Sequence, residues 1–350
     1  EAGLECLATG TGVLGSGGGG RPRIGRLRLQ TLLDDDQYPD EIEVIPPEDL
    51  DPDATITSVG KIGAPSIGSE KLPKGDEELR ALRALERNGD CSVDALIPGE
   101  IGGANSFAPL IVSLLTGLPV VDADAMGRAL PKLQMDTFFI NGHPVNCAVI
   151  TDEKGNTIVY EDIDLPERFE SLVRATTVEL GGTAAYAYPI LEGTFVKEYS
   201  VHHTLSLCHD LGRRIHEARA ANEDPTEAVC DVTGGRRLFS GKVMDIKRRH
   251  DEGFTTGDVR IDEIEGDRTL VINFQNEFLH AELDGTTVAT VPDLISLLDE
   301  TTAEPILVDD VQFGQRVDVV GIPAPDLLTT DEALSVVGPE AFSYDHGYEP

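Results

Sequence analysis

Between Asp94 and Asp124 the chain places two short apolar runs on either side of a longer one, and this order constrains the fold more than any other feature. Asp94-Ala-Leu-Ile97 reads as a buried strand. The turn after it carries Glu100, Gly102, Gly103 and Asn105, and Phe107 to Leu115 is long enough for a helix. Leu118-Pro-Val-Val121 then reads as a second buried strand, ending in Asp122 and Asp124. A strand–helix–strand unit of this kind belongs to a parallel, layered sheet, in which ligands sit at the carboxyl ends of the strands. Glu100, Asp122 and Asp124 fall at those ends, and alternation along a strand puts the two aspartates on one face. An ordinary unit with polar turn ends is the alternative. Three acids converging with Asn105 and Arg128 favour a site.

The same alternation runs through the first half. Glu43–Ile45, Thr55–Val59, Ala95–Ile97, Pro119–Val121 and Asn146–Ile150 read as strands, and Asp152–Tyr160 as a hairpin turn into another. Helices are predicted over Glu1–Thr9, Arg26–Leu33, Gly75–Asn88, Ser106–Leu115, Leu165–Thr177 and Leu205–Ala221. From Arg237 onward short alternating strands with Gly and Asp turns take over, a spacing that favours a small barrel or sandwich. The expected fold is a three-layer α/β domain with a mainly parallel sheet over residues 1–165. Connecting helices and a β-rich domain follow over 166–350.

With 63 acidic against 28 basic residues, the chain carries a net charge of −35, and only 8 of the basic residues are lysines. Acids scattered over a Lys-poor surface fit a halophile cytosol, where salt screens self-repulsion. No basic face is present to neutralise phosphates, so nucleic-acid binding is not expected. There is no 18-residue apolar run, and the first residues are acidic, so neither a membrane span nor a signal peptide is expected. Five dispersed cysteines without CxxC spacing read as reduced, mostly buried thiols of a cytoplasmic protein.

Gly15-Ser-Gly-Gly-Gly-Gly20 meets the GxGxxG pattern trivially, but the preceding segment reads as helix and no Lys-Ser/Thr follows. An amide-rich loop, Gly17 to Gly20, holding a carboxylate or an oxyanion beside Arg21 or Arg23 is the preferred reading over a nucleotide loop. A purely structural turn is the alternative. His202-His203 open a helix, and are read as a pair without function in preference to a metal site. His143 is read as a solvated turn residue, and His250, His280 and His346 as surface residues.

Several motifs occur in an order that resembles one family. They are Thr9–Gly20, Gly63-Ala-Pro-Ser-Ile-Gly-Ser-Glu-Lys71, the Ile97–Met135 stretch, Val178-Glu-Leu-Gly-Gly182, Phe274-Gln-Asn-Glu277, Thr290–Leu294 and Val337–Asp345. Together they resemble the S-methyl-thiohydantoin desulfurase family, found beside hydantoinase and oxoprolinase genes. The resemblance implies an α/β domain followed by a β-rich domain. It also implies a hydrolase in which water attacks an amidine-like ring carbon and methanethiol leaves. A divalent metal, zinc first, is part of that implication, with Asp122 and Asp124 as candidate ligands. Glu100, Asp122 and Asp124 are then the catalytic candidates. Gly17, Gly18, Gly19, Gly20, Asn105 and Arg128 are the substrate-binding ones, and Glu179, Asn276 and Glu277 are further family-type positions. The alternative from another class is a non-catalytic accessory subunit of a hydantoinase- or oxoprolinase-type complex. The expected partners are a small-molecule substrate and either such a protein or a second copy of the chain.

Overall fold

The structure, a computed structural model, describes residues 2–64, 67–68, 71–251 and 253–349. Pro65, Ser66, Ser69 and Glu70 of the Gly63–Lys71 motif, and Glu1 of the first predicted helix, lie outside these residues.

In chain order the first sheet uses β1 (Val44–Ile45), β2 (Thr55–Gly63), β3 (Ala95–Ile97) and β4 (Val120–Val121). A short β5 (Ala123–Asp124) follows, then β6 (Val145–Thr151), β7 (Thr157–Ile163) and β8 (Thr183–Glu192). The spatial order is β1-β4-β3-β2-β8-β6-β7. The first four strands are parallel, as expected, and β8, β6 and β7 extend the sheet antiparallel. β8 was not legible in the sequence. Ala184, Ala185 and Ala187 are weak strand formers, and Pro189 removes a ladder donor. The structure accommodates that proline at a register shift, where Thr57 pairs with Ile190 but Ser58 with Tyr188.

The helices are α1 (Ala2–Leu14), α2 (Pro22–Leu33), α3 (Glu77–Asn88), α4 (Ala108–Thr116), α5 (Thr137–Ile140), α6 (Pro166–Glu179) and α7 (Gly193–Tyr199). After β9 (Val201–His202), which pairs with β5, come α8 (Thr204–Ala221) and α9 (Pro225–Thr233). α3 shares one core with Val59, Val149 and Ala187 through Leu82 and Leu85. α6 shares another with Ile62, Ile150, Tyr186 and Tyr188 through Phe169 and Val173. The period-2 alternation of β8 thus sends its small residues to one helix layer and its tyrosines to the other. Each buried Leu or Phe in these layers contributes about 1.5–3 kcal/mol.

The second sheet is formed by β10 (Arg236–Asp251), β11 (Phe254–Asp262), β12 (Thr269–Gln275), β13 (Glu277–Leu283), β14 (Thr286–Thr290), β15 (Leu294–Asp299) and β16 (Arg316–Ile322). Its order is β14-β13-β12-β11-β10-β16-β15, antiparallel throughout. It curls into a half-barrel, so that β15 also touches β13 and β14. Phe239, Val259, Ile272, Phe278 and Val317 fill its inside.

α1 and α8 join the two parts. They cross so closely that a Cβ on Gly10 would meet the Cys208 carbonyl, and one on Gly212 the Cys6 carbonyl. Glycine there permits backbone contact that any side chain would prevent. The joined helices share a core with Leu294, Leu298 and Val320 of the second sheet. α10 (Asp331–Val337) closes the chain against Met126, Leu130 and Leu279. Near it His280, expected at the surface, is 3 % exposed, because the tail lays Tyr344 and His346 over its ring. Cys6, Cys147 and Cys208 are buried and all five thiols are free. No helix among the described residues is long and apolar enough to cross a membrane.

Candidate functional site

The turn after β3 positions the first candidate side chain. Ile97 ends the buried strand, and Gly99 and Glu100 follow at its carboxyl end. Asn105, in the 3₁₀ turn before α4, reaches back with its side-chain amide. Its Nδ2 donates to Glu100 Oε1 at 2.6 Å and to the Lys61 carbonyl at 3.0 Å, while its Oδ1 accepts from the Lys61 amide at 2.9 Å. Glu100 is thereby pinned between β2 and the turn. Burial raises its pKa to about 7, against the pull of Asn105 and a backbone amide, and the nearby Asp124 charge adds to the rise.

A second carboxyl comes from the other sheet. Asn276, in the left-handed region at φ 59°, forms the tight turn from β12 to β13. Its backbone N–H donates to the Thr255 carbonyl and its Oδ1 accepts from the Thr255 amide, both at 2.8 Å. This turn delivers Glu277, 4 % exposed, into the same cleft as Glu100. Its Oε2 has no hydrogen-bond partner among the described residues. Burial, followed by the Glu100 charge, pushes its pKa well above the ordinary range, with Arg128 opposing. Glycine at position 18 lets Glu277 sit as it does, because a Cβ there would come within 2.0 Å of Glu277 Oε1 and displace the side chain.

The cleft encloses about 260 Å³ between the two parts of the molecule. Tyr186 and Tyr188 of β8 form an aromatic wall, and Glu100 and Glu277 face the same space. Five cations stand at its rim, Arg28, Lys61, Lys71, Lys132 and Arg174, beside the acids Glu77, Glu78 and Glu153. Three of the chain's eight lysines are thus gathered at one opening of a molecule with net charge −35. Arg28 holds Glu78 through two bonds of 2.8 and 3.0 Å. Burial would raise the pKa of Glu78, but Arg28 and Lys61 pull it down to about 2. Lys71 pairs with Glu153 at 3.1 Å and Arg174 with Glu170 at 2.7 Å.

The structure brings some of the sequence candidates together and separates others. Glu100, Asn105, Gly19 and Gly20 line the cleft, whereas Gly17 packs on Phe278 and Val308. The Gly-rich loop works mainly as a seam. The carbonyls of Gly19 and Gly20 accept from Asn105 and Ala104, and the carbonyls of Ser16 and Gly17 accept from Phe278 and Val308.

Arg128 is fully buried and all its donors are committed. They reach the carbonyls of Ala129, Pro292, Asp293 and Phe278, and the Ser16 hydroxyl, at 2.6–3.0 Å. Asp124 Oδ2 accepts three backbone amides, from Ile101, Met126 and Gly127, at 2.7–3.0 Å. Asp122 accepts from the amide and the hydroxyl of Ser206 at 3.1 and 2.5 Å. As a paired ligand set for a metal, these two aspartates are poorly matched: both oxygens of Asp122 are held by Ser206, and of Asp124 only the buried Oδ1 has no hydrogen-bond partner among the described residues.

Glu179 ends α6 and, like Arg128, is not among the residues around the cleft. The sequence reading missed Tyr186, Tyr188 and the cations at the rim. The available signal was Lys61, Lys71 and Lys132 in a chain so poor in lysine.

Comparison with known proteins assigns both halves. A family model described as the S-Me-THD-like N-terminal domain matches residues 2–162, and the S-Me-THD-like C-terminal domain matches 164–350. A crystal structure of a protein from Chromobacterium violaceum is similar in fold, with a TM-score of 0.84 and 24 % identity. The similarity covers 99 % of this chain and 98 % of that one. No curated protein matches.

Proposed function

Because the chain belongs to the S-Me-THD-like family over both of its domains, we propose that it is a hydrolase acting on a hydantoin-like ring. Water attacks an amidine-like carbon, and an S-methyl group leaves as methanethiol. The observation that carries this reading is the meeting of two buried carboxyls, Glu100 and Glu277, one from each sheet, in a single enclosed cleft. Their environments suit different roles. Glu100, with a pKa of about 7 and one oxygen held by Asn105, is poised near neutrality to take a proton from the attacking water. Glu277, whose pKa burial raises well above the ordinary carboxyl range, is suited to supply a proton to the departing sulfur.

In this scheme the water oxygen forms a bond to the ring carbon and its proton passes to Glu100. As the carbon–sulfur bond breaks, the thiolate takes the Glu277 proton. The ring nitrogen, whose double bond to that carbon opens on attack, takes the Glu100 proton, and the second water proton passes to Glu277 as the ring carbonyl forms, so both carboxyls end as they began. Tyr186 and Tyr188, their rings tilted by 50° to each other, offer aromatic surface for a planar ring, and the cations at the rim, Lys132 among them, suit a substrate with a carboxylate tail.

The test is turnover of S-methyl-thiohydantoins bearing neutral or carboxylate side chains, followed by thiol release. Wild-type kcat/KM should rise through about pH 7 as Glu100 ionises. Glu100→Gln and Glu277→Gln should each lose about 10²–10⁴ in kcat while remaining folded. Turnover unaffected by both substitutions, or no turnover of any such ring by the wild type, overturns the reading.

A further inference from the structure

Away from the cleft, among the described residues, one group of side chains is gathered as a metal would need it: Glu48, His202 and His203, whose ligand atoms all lie within 4.8 Å of one another. Two separate pieces of chain supply them. Glu48 sits in the 3₁₀ turn Pro47–Asp49, His202 ends β9, and His203 precedes α8 with a left-handed backbone at φ 59°. Glu48 Oε1 accepts a hydrogen bond from His203 Nε2 at 3.0 Å, which a bound ion would replace, and lies 3.9 Å from His202 Nδ1. Around a tetrahedral zinc, with ligands about 2.0–2.2 Å from the ion, neighbouring donors lie about 3.3 Å apart. The two separations bracket that value.

The outward-facing nitrogens strengthen the case. Ligating imidazoles almost always bind a carbonyl or a carboxylate through the other ring nitrogen, which fixes the tautomer. His202 Nε2 donates to the Lys197 carbonyl at 2.9 Å, leaving Nδ1 for an ion. His203 Nδ1 lies 3.7 Å from Asp122 Oδ2, beyond hydrogen-bond distance but within ion-pair range, and Nε2 is the nitrogen nearer Glu48. Lys197 Nζ also donates to the Glu48 carbonyl at 3.1 Å and fixes the turn that presents the carboxylate. All three ligand residues are exposed, so the remaining coordination position opens to solvent.

We infer that Glu48, His202 and His203 form a binding site for a zinc-class divalent ion, with Asp122 and the Lys197 carbonyl as its outer supports. Two imidazoles and one carboxylate select borderline transition metals over magnesium or calcium. The bound ion ties the Pro47–Asp49 turn to the first turn of α8 and leaves an open position for water or an anionic group. It is independent of the cleft chemistry, which uses neither histidine.

The test uses the full chain, stripped by chelator and dialysed against Zn²⁺ in molar KCl so that the acidic surface is screened. One equivalent should bind, unaffected by excess Mg²⁺, and Co²⁺ should give a visible d–d band. His202→Ala and His203→Ala should each abolish the stoichiometric site, and Glu48→Gln should weaken it. Asp122→Asn should weaken it by roughly 10–100-fold. Circular dichroism confirms that each exposed-site variant is folded. Absence of stoichiometric binding by the wild type, or binding unchanged in His202→Ala and His203→Ala, overturns the inference.

Discussion

Replacing Arg128 by Met tests whether the centre of this molecule is a seam or a substrate contact. The substitution keeps the aliphatic stem and removes every donor. In the native structure those donors satisfy four backbone carbonyls and the Ser16 hydroxyl. A hydrogen bond from a charged group is worth about 1.5–3 kcal/mol alone, but bonds in one network do not add. Burial lowers the guanidinium pKa to about 10, with Glu277, Asp293 and Glu100 opposing, so Arg128 is charged at neutral pH. Breaking a buried charged network by deleting one partner costs about 3–5 kcal/mol, and that is the expected loss. Urea denaturation in molar salt measures it from the midpoint shift at constant slope. Arg128→Lys should recover less than half, since a point charge cannot span five acceptors. For the folded fraction, KM for a ring substrate should stay unchanged. A loss below about 0.5 kcal/mol, the size of an ordinary surface substitution, or a raised KM with full stability, refutes the reasoning.

Stability should also depend on pH in an unusual direction. Burial raises Asp136 to about 8, and Asp124 and Glu100 to about 7, from ordinary values of 3.8, 3.8 and 4.5. The folded chain then keeps protons that the unfolded chain releases between about pH 4 and 8, so these groups lower stability as pH rises through that window. Asp136→Asn keeps an acceptor for the Phe139 amide, capping α5, and should flatten the upper end of the fall. Parallel profiles for variant and wild type would count against it. Salt supplies a third expectation from the −35 net charge. Screening lengths grow from about 3 Å at 1 M to about 30 Å at 0.01 M, so Tm should drop markedly on dilution of salt, and an equal Tm at both ends contradicts the halophile reading.

What the sequence made legible followed local periodicity. The strand–helix–strand unit around Glu100 and the switch to alternating strands near Arg237 are both present, because burial on one face imposes a period that a single segment displays. β8 was hidden because both its faces are buried, alanines interrupt its tyrosines and a proline stands at its register shift, so neither propensity nor pattern marked it. At the site, residues at strand ends were found, but their partners were not. Asp122, Asp124 and Glu100 look alike in sequence. The structure distinguishes them by which donors meet them: Ser206 from α8, three backbone amides, or Asn105 beside an open cleft. The same applies to Arg128, whose fixed acceptors come mostly from residues 278–293.

The seam at Ser16 has a consequence for synthesis. Its hydroxyl donates to the Ile295 carbonyl, 279 residues later. At 5–20 residues per second, roughly 15–60 s separate the emergence of the two partners from the ribosome. Through that interval the Gly-rich loop has no β13 or β15 to bind, Arg128 lacks most of its acceptors, and Glu277 does not yet exist to face Glu100. The residues of the parallel strands around β3 are made long before Glu277, so the cleft cannot be complete until the second sheet has been made and docked. The nascent chain therefore passes a long time with its central arginine unsatisfied, a period in which chaperone contact with α1 and the turn before α2 would be most useful.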